Sequence, residues 1–257
     1  MICALMLGRK GSVGFPGKNL YPVMGRALIE YPLLAALATE EIDRVFISTD
    51  DEKIMEIGKN YGAEIIVRPQ ELATKSALGE HAYLHGYRVI KEEIRPESLE
   101  LIVLLFCNAP TILAQTIDKG IQMLRKDPAA DSAVTVSAYN MWSPVRARKE
   151  DSEGYLKPFV PFETFGDPKT MNCDRDSQGE VWFADMSVSI VRPRCLENLE
   201  EGLLPQKWMG RKIIPIKQWG GLDIDFEWQI PQAEFWLRKN GFSETSLPYA
   251  EKARTPK

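Results

Sequence analysis

The chain predicts an α/β fold built on a doubly wound, mainly parallel sheet. Three observations carry this. Through the first two thirds, apolar β-type runs alternate with helical patterns, the βαβ order of a parallel sheet. A length of 257 residues, 44% of them hydrophobic, suits one large domain spanning residues 1–257. Regularity fails from about Tyr139 to Gly179, a stretch that reads as an irregular insertion.

The strands expected first are Ile2–Leu7, Arg44–Ser48, Glu64–Val67, Leu101–Phe106 and Ala133–Ser137. Helices are expected between them, at Leu28–Ala38, Asp51–Tyr61, Gly79–Glu93 and Ala114–Arg125. Asp50 and Asp51 are placed to start the second helix, where a carboxylate can accept from free amides. The insertion carries Trp142-Ser143-Pro144-Val145-Arg146-Ala147-Arg148 and Tyr155-Leu156-Lys157-Pro158-Phe159. That is too aromatic for a disordered linker. It reads as an excursion that covers the site or meets a partner chain. Strands return at Trp182–Val191 and Lys212–Ile216, and a last helix lies around Phe226–Lys239.

The net charge of −4 gives no general attraction to nucleic acid. No apolar run approaches the roughly 18 residues of a membrane span. The first residues lack a small-residue cleavage site, and Cys3, Cys107, Cys173 and Cys195 have no metal-type spacing. Reduced thiols in a cytoplasmic protein are the expectation.

Two segments carry chemistry. After the first strand comes Gly8-Arg9-Lys10-Gly11-Ser12-Val13-Gly14-Phe15-Pro16-Gly17-Lys18-Asn19. Its glycines let the backbone turn and present N–H groups, while Arg9, Lys10 and Lys18 add positive charge, a combination that suits a polyphosphate. A dinucleotide fingerprint needs a short turn into a helix, but Pro16 and Lys18 stand in the way. A Walker A loop needs Ser or Thr after Lys18. The second segment is Asp223-Ile224-Asp225. Alternation on a strand points both carboxylates to one face, where they can hold a divalent cation such as Mg²⁺. A triphosphate cradle with such a site is the equipment of a nucleotidyltransferase. His81 and His85 are four apart on one helix without a metal-protease pattern, so packing or surface placement is expected. Arg146, Arg148 and Lys157 fit either an acidic substrate or a solvated rim.

These residues resemble the acylneuraminate cytidylyltransferase family, which activates sialic-acid-like sugars as CMP-sugars. The family's opening pattern reads roughly I-P-A-R-G-G-S-K-G-I-P-G-K-N and is matched by Met6 to Asn19. The likeness continues through Leu28-Ile29-Glu30-Tyr31, Ile47-Ser48-Thr49-Asp50-Asp51 and Arg68-Pro69-Gln70-Glu71-Leu72-Ala73. It resumes at Ser143-Pro144, Gly154-Tyr155-Leu156-Lys157-Pro158 and Asp223-Ile224-Asp225. The resemblance implies a nucleotide-diphospho-sugar transferase-like sheet and a homodimer, in which residues 139–179 reach the other subunit's site. It implies that Arg9 and Lys18 hold the CTP phosphates as catalytic residues. Ser12 and Asn19, with Gly8, Gly11 and Asn108, would line the nucleotide pocket. Asp223 and Asp225 would bind Mg²⁺. The expected partners are CTP and an acidic nine-carbon sugar of sialic, legionaminic or pseudaminic type, giving a CMP-sugar and pyrophosphate. Arg146, Arg148, Lys157 or Arg175 would clamp the sugar carboxylate.

Several positions depart from the family. Lys10 stands for the usual Gly and Val13 for the usual Lys. Phe106 replaces a glutamine associated with the base, Ile112 an arginine, and Gln229 the last acid of D-I-D-x-x-x-D. Two other readings stay open on the same residues. A metal-dependent glycosyltransferase would use D-x-D on a nucleotide-sugar. A non-catalytic nucleotide-binding protein would bind CTP without releasing pyrophosphate.

Overall fold

A computed structural model describes residues 1–11, 14–94, 99–174, 176, 177 and 179–249. Strand β1, Ile2–Leu7, is buried along its whole length. Ile2, Ala4 and Met6 face one core, while Cys3, Leu5 and Leu7 face the other. That two-residue alternation places the strand in the middle of the molecule, with a packed layer on each side.

A hairpin of β2 (Pro22–Val23) and β3 (Arg26–Ala27) leads into helix α1, Glu30–Ala38. The helix starts later than the expected Leu28. Leu28 and Ile29 give their amides to Tyr21 O and Asn19 O, which ties them to the preceding loop. Then follow β4 (Arg44–Thr49), α2 (Glu52–Asn60), β5 (Glu64–Val67), α3 (Gly79–Glu93), β6 (Leu101–Phe106), α4 (Ala114–Lys126) and β7 (Ser132–Ala138). Asp51 caps α2, its carboxylate accepting from Lys53 N at 2.9 Å.

Strands β8 (Arg148–Glu150) and β9 (Leu156–Pro158) form a separate antiparallel hairpin inside the irregular stretch. The chain re-enters the main sheet through β10 (Trp182–Val191), passes the short helix α5 (Pro193–Glu197), and continues as β11 (Ile213–Gln218) and α6 (Ile230–Lys239). A 3₁₀ turn at Glu227–Gln229 precedes α6, so the closing helix is shorter than the sequence suggests.

The seven-stranded sheet runs β11-β7-β10-β6-β1-β4-β5. It is mainly parallel, with β10 antiparallel to both its neighbours. Helices α1, α2, α4 and α6 supply one core, while α3 and α5 supply the other. The chain leaves β1 toward β4 on one side and later returns to β6 on the other. That makes the carboxyl end of β1 a topological switch point, where such sheets open a ligand crevice.

One expectation fails here. Asp223-Ile224-Asp225 is not a strand. Its backbone finds partners in the loop after β6 rather than in the sheet. Ile224 N donates to Asn108 O at 2.8 Å, and Leu222 N donates to Thr111 Oγ1 at 2.8 Å.

Candidate active site

A cavity of about 260 Å³ opens at that switch point. The glycine loop supplies Gly8, Arg9, Lys18 and Asn19 to its wall, and the last connection supplies Asp223 and Asp225. The two sequence segments singled out for chemistry therefore meet in one place. They touch directly: Lys18 Nζ lies 2.6 Å from Asp225 Oδ1.

The loop is built by close approach. A Cβ on Gly8 would stand 2.6 Å from Cys107 Sγ, so only glycine lets β1 turn against the end of β6. Gly17 has φ 74° and starts the 3₁₀ turn Lys18–Leu20. Arg9 Nη1 donates to Gly11 O at 3.1 Å, and Asn19 Nδ2 donates to Arg9 O at 3.3 Å. Asp50 Oδ1 accepts from Lys10 N at 2.8 Å, so this acid braces the loop. Ser12 lies outside the described residues.

The acidic segment is strapped from beneath. Asn108 Nδ2 donates to Ile224 O at 2.9 Å. The Thr111 hydroxyl is within 3.0 Å of Leu222 O and 3.1 Å of Ser187 Oγ. Gln229 Oε1 accepts from Asp225 N at 2.7 Å and Phe226 N at 2.8 Å. Gln229 thus holds the backbone of the pair with a neutral carbonyl. Burial first, and then the charge of Asp225, push the Asp223 carboxyl above its usual range, against the opposing pull of Lys18.

Among the described residues no group of three or more His, Cys, Asp or Glu side chains is placed to hold a metal ion. Two carboxylates beside a phosphate-type loop still fit Mg²⁺, which takes one or two carboxylates and completes its shell with phosphates and water. The raised Asp223 carboxyl is what a cation would relieve.

Arg68 is a site residue the sequence reading passed over. It lines the cavity, is only 6% exposed, and donates from Nη2 to Ser48 O at 2.5 Å and from Nε to Ser48 Oγ at 3.2 Å. Burial pulls its guanidinium below the usual range. Its signal in the sequence is its place at the head of the Arg68–Ala73 stretch that resembles the family, where no role is assigned to it. Phe106 also lines the cavity, packed on Tyr83 at 5.3 Å and Trp208 at 6.3 Å between ring centroids.

A second cavity of about 180 Å³ shares Asp223 as a wall. Tyr139, Trp142, Phe183 and Trp228 give it an aromatic lining. Among the described residues, no basic side chain of the insertion lines either cavity. Arg146 donates to Cys173 O, Arg148 lies over the Phe162 ring at 5.4 Å, and Lys157 Nζ is 3.5 Å from Asp151 Oδ2. Arg175 lies outside the described residues. His81 and His85 sit on α3 and line neither cavity.

A model of the family described as cytidylyltransferase matches residues 3–150, more than half of the chain. N-acylneuraminate cytidylyltransferase of Oncorhynchus mykiss is 24% identical over 234 residues, 90% of this chain and 49% of that protein. CMP-N,N'-diacetyllegionaminic acid synthase of Legionella pneumophila is 28% identical over 156 residues, 60% of this chain and 65% of that protein. The chain thus spans less than two thirds of the length of either relative. The solved structure of CMP:2-keto-3-deoxy-manno-octonic acid synthetase complexed with CTP has a TM-score of 0.64 at 15% identity. It covers 93% of this chain and 99% of that one, a likeness of fold.

Proposed function

The chain belongs to the cytidylyltransferase family, and from that membership we propose that it transfers the cytidylyl group of CTP to the anomeric hydroxyl of a nonulosonic acid of sialic, legionaminic or pseudaminic type. The hydroxyl oxygen forms the new bond to the α-phosphorus and gives up its proton to water. The bond between the α- and β-phosphates breaks, and pyrophosphate leaves. One observation carries the reading: Lys18 and Arg9 of the glycine loop share a cavity with Asp223 and Asp225 at the carboxyl end of β1.

Each residue then has a task. Gly8, Gly11 and Ser12 present the triphosphate with loop amides and a hydroxyl, and Asn19 and Asn108 line the nucleotide pocket. Arg9 and Lys18 stabilise charge that builds on the phosphates in the transition state. Asp223 and Asp225 would hold Mg²⁺, which when bound supplies charge neutralisation at the phosphates. Arg68 adds a buried positive charge to the same wall. The aromatic cavity across Asp223 is the place for the sugar, since aromatic faces pack well on the apolar faces of pyranose rings.

Among the described residues, neither cavity has an insertion cation for the sugar carboxylate, and we assign that task to a second copy of the chain. Tyr155, Leu156 and Phe159 are exposed on the insertion, an apolar surface that suits burial in a homodimer. Arg146, Arg148, Lys157 and Arg175 would then approach the other subunit's aromatic cavity. Free Cys3, Cys107 and Cys195, all buried, suit a cytoplasmic enzyme. No described helix is long and apolar enough to cross a membrane.

A pyrophosphate-release screen tests the reading. It crosses the four NTPs with sialic, legionaminic, pseudaminic and 3-deoxy-octulosonic acids in the presence of Mg²⁺. Release with CTP and a nine-carbon acid supports it. Release of a nucleoside mono- or diphosphate from a nucleotide-sugar would make the chain a glycosyltransferase. CTP binding with no release under any combination would make it a non-catalytic binder.

A further inference from the structure

Two described non-glycine residues have left-handed backbones, Met24 in the β2–β3 turn and Met186 in β10. Met186, at φ 62°, is the one beside the cavity. It sits where the register of β10 against β7 shifts between Ala184 and Ser189. Bulges of this kind re-aim side chains. A non-glycine residue in the left-handed region persists only where its surroundings hold it there.

The surroundings do so on both sides. Asp185 Oδ2 accepts from Ser137 Oγ at 2.7 Å and Gln218 Nε2 at 2.9 Å. Asp185 Oδ1 accepts from Ser187 N at 3.2 Å, and Val188 N donates to Thr135 Oγ1 at 3.0 Å. Glycine would adopt this backbone without strain. The chain places a long apolar side chain there instead.

The effect is a division of labour within two residues. Asp185 lines the aromatic cavity, and Met186 lines the main one. The charged side chains in the wall of the main cavity are Arg9, Lys18, Arg68, Asp223 and Asp225. Leu72, Leu78, Phe106 and Met186 contribute apolar wall. Phe106 is fixed by Tyr83 and Trp208. At about 260 Å³ the space lies just below the usual size of ligand sites, about 300–1,000 Å³.

We propose that Met186 is a specificity-determining residue: with Phe106 it forms the apolar wall that limits the nucleoside end of the cavity to a single-ring base. The bulge holds Met186 in its left-handed conformation for that purpose. This rests on the cytidylyltransferase reading of the site.

The test is calorimetric binding of CTP, UTP, ATP and GTP, without acceptor, to the wild type and to Met186→Gly, Met186→Ala and Met186→Leu, with melting temperatures alongside. The wild type should prefer CTP over ATP. The Gly and Ala variants should lose about 10-fold or more of that preference, the scale set by removing apolar contacts from a pocket wall. Met186→Leu should keep it, which a general structural lesion would not give. Met186→Gly should melt above Met186→Ala, because only glycine relieves the left-handed backbone. That inverts the usual order, in which glycine is the less stable of the two. An unchanged CTP-to-ATP ratio in both truncations overturns the proposal and leaves the cytidylyltransferase reading standing. So does a wild type that binds CTP and ATP equally. A glycine variant that melts below the alanine one overturns the strained-wall argument. A wild type that binds no nucleotide overturns the proposal together with the functional reading.

Discussion

Lys18→Met separates the charge of the glycine loop from its packing. The Lys18 side chain is 14% exposed and its ammonium lies 2.6 Å from Asp225 Oδ1, which is 56% exposed. Methionine keeps most of the buried stem and removes only the charged tip. Because Asp225 is more than half in solvent, the ion pair is screened and worth no more than about 1 kcal/mol. For a domain of this size that corresponds to a melting shift of about 2–4 °C. Catalysis should respond far more strongly. Loss of one preorganised donor to transition-state charge costs on the order of 10²–10³ in rate, or about 2.7–4 kcal/mol. The assay is the initial rate of pyrophosphate release against CTP concentration, with calorimetric melting of the same samples. The expected result is a drop of that size in kcat/KM with a melting temperature within a few degrees. A kcat/KM near wild type with unchanged melting would remove Lys18 from the phosphate cradle. A loss of activity matched by a large fall in melting temperature would make it a packing residue.

Gly8→Ala should lose about 1–3 kcal/mol of stability, the usual cost of overpacking, and bind CTP more weakly, because the added Cβ meets Cys107 Sγ at 2.6 Å; calorimetry reads both. Asp223→Asn and Asp225→Asn should each be severely impaired and need more Mg²⁺, since an amide is a poorer hard-cation ligand than a carboxylate. Asp223→Asn should also melt higher than wild type near neutral pH, because burial and Asp225 disfavour its charged form in the folded state. A variant with normal rates at low Mg²⁺ would show that residue to be no ligand. Alkaline stability should fall as pH rises above about 9. Burial holds the Cys3 and Cys195 thiols up at about 11 and Cys107 at about 12, against 9.0 ordinarily, so the unfolded chain releases these protons first. Denaturant melts from pH 8 to 10 check the sign, and flat stability across that window would contradict it. Light scattering at micromolar protein should give a dimer mass, and a monomer would leave the exposed Tyr155, Leu156 and Phe159 without the partner assigned to them.

Much of the fold is legible because its strands are short, continuous apolar runs. Ile2–Leu7 and Leu101–Phe106 can be read to the residue, since both faces of each are buried and nothing polar blurs their ends. Direction is another matter. Trp182–Val191 is plainly a strand, but its antiparallel placement between β6 and β7 depends on the long excursion before it, and no local pattern encodes that. Asp-Ile-Asp mimics the period of a strand. Its backbone is instead taken up by Asn108 and Thr111, a tertiary fact. The glycine loop and the acid pair were both visible as chemistry, while their meeting at Lys18 and Asp225, 207 residues apart, was not. Arg68 was missed because a charged residue after a strand reads as surface until its burial is known. Arg146, Arg148 and Lys157 show the converse. Composition marked them as basic, and only the structure places them outside the cavities of their own chain.

In the proposed reaction the α-phosphate of CTP passes to the sugar. Labelled CTP tests it most directly, with the label in the α-phosphate in one reaction and in the γ-phosphate in another, each incubated with a nonulosonic acid and Mg²⁺. The α-label should appear in a new acidic product that contains both cytidine and sugar, and the γ-label should appear only in pyrophosphate. An α-label that leaves as free CMP or CDP, or a γ-label that ends on the sugar, would rule out cytidylyl transfer.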